Sequence, residues 1–124
     1  MKRFICMIMA MVLALGLMAC NSEYDNTRIM LIVHAENDIE SILKAPSTAQ
    51  FCKSTEYTVG VNREAGLGLI GGYVDAQNGF GAMIRTDFAL EYDISNPDSY
   101  KLVFVKFGEE TYGELIVVDF EPLK

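Results

Sequence analysis

The hydrophobic positions follow three different rhythms along the chain. Phe4–Ala19 is continuously apolar. Between 28 and 44, Ile32, Ala35, Ile39 and Ile42/Leu43 recur at intervals of three and four. That spacing places them on one face of a helix. Glu36, Asp38 and Glu40 fall off this stripe, Asn26 or Thr27 stands where a cap belongs, and Ala45-Pro46 stops the helix, because a residue before proline avoids the helical region. Only Ile29–Val33, apolar throughout, also satisfies a strand. From Tyr57 onward the period is two: Tyr57, Val59 and Val61; Leu67, Leu69, Gly71 and Tyr73 into Val74–Gln77; Ile84, Thr86, Phe88, Leu90 and Tyr92. Tyr100–Phe107 and Glu114–Phe120 complete the set, joined through Gly108–Gly113. Asn62–Gly66, Asn78-Gly79 and Ser95-Asn96-Pro97-Asp98 separate the runs as turns. The pattern predicts an α+β fold: one N-terminal helix packed on the apolar face of a curved antiparallel meander of four to five strands.

Asn78-Gly79 suits a two-residue type I′ turn. Such a turn pairs Gln77 with Phe80, Asp75 with Ala82 and Tyr73 with Ile84. Directly opposed side chains share a face. Tyr73, Asp75, Gln77 and Phe80 would therefore form a binding rim at the open end of the apolar face, with Arg85 and Asp87 on the other side. The alternative is that Asp75 is satisfied locally and only shapes the turn. A slip of one residue in register would reverse the faces.

The first 19 residues distort the composition. The whole chain is 51% hydrophobic with a mean hydropathy of +0.20 and a net charge of −7. Without residues 1–19, about 105 remain, a normal single-domain length. Lys2 and Arg3 leave with that segment, so eight basic residues face seventeen acidic ones, a net charge of −9. Such a domain is a poor partner for nucleic acid or an anionic membrane face.

Met1-Lys2-Arg3 is a basic start, and the apolar run is short for a helix that crosses a bilayer, which needs about 20 residues. It ends in Leu17-Met18-Ala19-Cys20. This resembles the lipobox of bacterial lipoproteins. The resemblance implies cleavage before Cys20, acylation of its sulfur and amine, and a location in the cell envelope, held to the lipid bilayer on the extracytoplasmic side. The expected organisation is a leader at 1–19, a lipidated Cys20 with a polar tether to Thr27, and one α+β domain over 28–124.

Little of what remains carries chemistry. Cys6 leaves with the leader and Cys20 is the acylation site, so Cys52 is the one thiol of the domain. A nucleophilic thiol needs a neighbouring base. His34 is the sole histidine, so a Cys52/His34 hydrolase stands as an alternative to a structural cysteine. Gly66-Leu-Gly68-Leu-Ile-Gly71 matches a dinucleotide fingerprint but runs on into a hairpin instead of opening a helix. Glycines in a strand mark a bend or the close approach of another element. Asp75–Thr86 has neither the central glycine nor the final glutamate of a calcium loop. Glu109-Glu110 with Glu114 reads as a solvated hairpin tip, and one histidine makes no zinc site. No cofactor, metal or catalytic residue is expected.

Leu43-Lys44-Ala45-Pro46-Ser47-Thr48-Ala49-Gln50-Phe51 and Gly72–Ala82 (GYVDAQNGFGA) resemble paired elements of a group of small, uncharacterised bacterial lipoprotein or secreted domains. The likeness covers roughly 35–92 and departs at Cys52, where that pattern has proline. It implies the same architecture and carries no activity. A helix before a meander is also similar to the cystatin-like arrangement, although Thr58-Val59-Gly60 lacks the glutamine of the inhibitory hairpin. Two functions from different classes follow: a non-enzymatic envelope module that binds a protein or peptide, and a cystatin-like protease inhibitor with Asn78-Gly79 or Asn62–Gly66 as its wedge.

Overall fold

The computed structural model describes residues 26–124. The expected leader, Cys20 and the expected tether up to Asp25 lie outside the described residues. Helix α1 spans 26–42, starting two residues earlier than the periodicity suggests. The chain then tightens, with Leu43 N–H donating to the Glu40 carbonyl, and a 3-10 turn follows at Pro46–Thr48.

Seven antiparallel strands follow: β1 (Gln50–Phe51), β2 (Thr58–Asn62), β3 (Leu67–Gln77), β4 (Met83–Asp93), β5 (Lys101–Phe107), β6 (Glu110–Gly113) and β7 (Glu121–Leu123). They form one sheet in the order β6-β5-β4-β3-β2-β7, with β1 paired to the far end of β3. The α+β arrangement is the expected one. The extra strands are short pieces that complete the sheet's margins.

One face of the sheet carries the core. Leu31, Ala35 and Ile39 of α1 are buried against Val59, Val61, Ile70, Val74, Phe88, Leu90, Tyr92 and Val105. The alternation of β4 is as read: Phe88, Leu90 and Tyr92 point inward. A methyl group on Gly68 would lie 3.0 Å from both terminal carbons of Leu31, so the glycine lets the helix sit directly on the strand. This is the close approach expected of a glycine in a strand.

Two acidic residues flank the helix stripe and reach core tyrosines. Tyr57 donates its hydroxyl to Glu36 at 2.7 Å, and Tyr92 donates to Asp38. Burial, then the carboxylate partner, raises both phenols well above the ordinary tyrosine range. The unfolded chain loses these protons near pH 10, whereas the folded chain keeps them. Stability should therefore fall as pH rises past about 10. Urea midpoints from pH 8 to 11 will show the slope, and the Tyr57→Phe/Tyr92→Phe double variant should flatten it.

Glu114–Phe120 departs from the strand expected there. Its apolar residues look like a strand, yet the chain must travel from β6 at one margin to β7 at the other. Five interstrand steps of about 4.8 Å amount to about 24 Å. An extended chain from 113 to 121 reaches about 26–29 Å, so the segment spends its length crossing the sheet. It crosses the face opposite α1, where Asn62 donates to the Asp119 carbonyl and Ile116 N–H donates to Glu91 Oε1 at 2.9 Å. Glu91 is thereby 0% exposed. Its Oε2 has no hydrogen-bond partner among the described residues. Glu91→Ala removes the acceptor that pins this strap. Hydrogen exchange should then show Ile116 losing protection while β3 and β4 keep theirs.

Candidate functional site

The β3–β4 hairpin differs from the expected two-residue turn. Gln77 pairs with Met83, Asp75 with Arg85 and Tyr73 with Asp87. Asn78 is the cause. Its side-chain oxygen accepts the N–H groups of Phe80 and Ala82 at 2.9 and 3.1 Å, and its own N–H donates to the Ala82 carbonyl. An asparagine bonding backbone just ahead of it builds a wider loop, here the five residues 78–82. The register moves by three, an odd number, so the facing sets exchange.

Tyr73 and Asp75 consequently share the outer face with Arg85 and Asp87, Tyr73 being partly buried against the margin of the core. Asp75 receives two hydrogen bonds from Arg85, at 2.9 and 3.0 Å, which hold its carboxyl below the usual range. The Arg85 guanidinium sits 4.0 Å over the Tyr73 ring, a cation–π contact. The Tyr73 hydroxyl donates to Glu56, whose carboxylate also accepts the Lys53 N–H. These contacts, the backbone N–H first, lower Glu56. The four side chains satisfy one another. Phe80 is 96% exposed at the loop tip, apart from this cluster.

Gln77 lies elsewhere, on the margin of an apolar groove of about 520 Å³. Ile42, Ala76, Ile84, Phe107 and Tyr112 form its walls, with Lys44 on one lip and Glu109 and Glu110 on another. Its origin is a mismatch of lengths. A 17-residue helix spans about 26 Å, and α1 stops at 42. The 11-residue strands β3 and β4 run on past it, leaving Ile84 of β4 uncovered. Ile42, Ile84 and Tyr112 are accordingly exposed apolar side chains. Tyr112 is steadied by donating to Glu110 at 2.9 Å.

The stretches 43–51 and 72–82 meet beside this groove. Gln50 and Phe51 of the first pair with Asp75 and Val74 of the second, and Thr48 Oγ accepts the Gln77 N–H at 2.9 Å. At the other end of the sheet, Asn26, Met30, Arg63, Ser95 and Tyr100 border a recess of about 560 Å³. The described chain begins there. The length of β3, about 33 Å, separates the two ends, and it also separates the two candidate wedges, Asn62–Gly66 and Asn78-Gly79.

Cys52 and His34 have different surroundings. Cys52 is 6% exposed, and its sulfur lies by Gly72 and Tyr57. The His34 ring lies 5.2 Å from that of Tyr100 and 6.0 Å from that of Tyr92. Among the described residues, no group of three or more His, Cys, Asp or Glu side chains is placed to hold a metal ion, and no helix is long and apolar enough to cross a membrane. Comparison with protein-family models, curated proteins and solved structures finds no match.

Proposed function

We propose that the chain is a lipid-anchored binding module of the bacterial envelope, tethered through Cys20 and presenting its groove away from the membrane. The observation that carries this reading is the polarity of the molecule. The chain enters the fold beside the 62–66 and 94–99 loops, and the apolar groove lies at the opposite end of the sheet. From Cys20 to the start of α1 is six residues, at most about 21 Å of extended chain. A domain held that close to a bilayer leaves its far end as the accessible one. A concave apolar groove with a few polar groups at its lip is the ordinary form of a binding site. The function is recognition, with no chemical step.

The anchor is tested by the intact mass of the membrane-extracted protein. Loss of residues 1–19 and addition of three acyl chains is the expected result. Each buried methylene is worth about 0.8 kcal/mol, and one chain alone anchors only marginally. Cys20→Ser should therefore move the protein from the membrane to the soluble fraction. An unmodified Cys20 behind a retained leader would contradict the proposal.

A further inference from the structure

The groove is bordered by an open strand edge. β6 is the terminal strand of the sheet and pairs only with β5, so its outer N–H and C=O groups face away from any strand among the described residues. All four of its residues are exposed. The opposite margin is less receptive. β7 is three residues long with Pro122 at its centre, which removes a donor. An open edge is a template for a further strand.

The side-chain pattern of β6 suits such an addition. Glu110 and Tyr112 point into the groove, and Thr111 alternates with them on the other face. A strand laid along β6 would send every second side chain into the same groove, toward Ile84 and Phe107. The charges select the occupant. Glu109 and Glu110 line the groove beside β6, Glu114 follows it, and residues 20–124 carry a net charge of −9. Pairing two copies edge to edge would bring like charges together, which disfavours that partner.

We propose that β6 and the groove take an extended peptide as an eighth strand, its apolar side chains entering the groove and a lysine or arginine meeting Glu109 and Glu110. The proposal rests on reading the groove as the binding end. In this mode the backbone bonds give affinity and the side-chain pockets give selection.

The test uses the full chain in detergent and fluorescent peptides of alternating valine and lysine, followed by anisotropy. The expected result is binding at least about tenfold tighter than that of a valine–glutamate peptide, weakened by salt. N-methylation of the central peptide nitrogens should cost about tenfold or more. Glu110→Lys should invert the charge preference, whereas Glu64→Lys at the tethered end should leave it unchanged. Circular dichroism verifies that both exposed-site variants fold. Equal binding of the N-methylated peptide would overturn strand addition. Equal binding of both charge types, abolished by Ile84→Asp, would overturn this proposal and leave the groove as a binding site. No binding of either peptide, or self-association lost in Thr111→Pro, would also overturn it, the latter making a second copy the occupant.

Discussion

Replacing Ile39 by alanine is expected to lower stability by about 2–5 kcal/mol, the range for truncating a buried aliphatic side chain. Ile39 is 0% exposed and lies with Leu31 and Ala35 on the helix face against the sheet. The lost methyl groups leave a void between two rigid layers that close only partly. A domain of this size has about 5–15 kcal/mol in all, so the loss is a large share of the total. At about 4 °C or more per kcal/mol, the thermal midpoint should drop by roughly 10–20 °C. Ile42 supplies the control. It is three residues further along α1 but 48% exposed at the groove, and Ile42→Ala should stay within about 0.5 kcal/mol, as for most exposed sites. Thermal melts followed by circular dichroism check both. Equal losses at the two positions would mean that α1 does not seat on the sheet as described.

Gly113→Ala is expected to peel β6 from the sheet. Gly113 has φ +83°, and a methyl group there would lie 2.2 Å from the Val103 carbonyl oxygen. Positive φ alone disfavours alanine by about 1–2 kcal/mol, and the backbone clash leaves no side chain to move aside. A central strand would transmit this strain to the whole domain. An edge strand can relieve it by letting go, so the loss is bounded by what β6 pairing contributes, about 2–4 kcal/mol on the scale of severe single substitutions. The expected signature is loss of exchange protection in 104–113 with β2–β4 intact. Glu110 and Tyr112 would leave the groove with β6, so peptide binding should fall more than stability does. Uniform loss of protection across the sheet would contradict the edge placement.

The helix and long strands were legible because their signals are local. The three-and-four spacing through Ala35 and Ile39 and the alternation of Phe88, Leu90 and Tyr92 depend only on which face is buried. The hairpin register was not legible, because it turns on one side chain. Asn-Gly favours a two-residue turn by backbone geometry, and the Asn78 oxygen wins a wider loop by bonding two N–H groups. That choice moved Tyr73 and Asp75 to the outer face and parted them from Phe80. The strap has the composition of a strand over Leu115–Val118, while its path is set by where β6 and β7 lie. Burial of Glu91 follows from the strap. The groove depends on α1 ending before β3 and β4 do, a comparison of elements that no single window contains.

The proposed recognition occurs at the end remote from the proposed tether. Its most direct measurement is photo-crosslinking from the full chain in its host envelope, with the photoreactive residue placed at Tyr112 in one variant and at Ser95 in another. Tyr112 lines the groove and Ser95 the recess at the end where the described chain begins. Discrete adducts from position 112, lost when Ile84→Asp is added, with none from position 95, are the predicted result. Adducts from position 95 with none from position 112 would contradict the account.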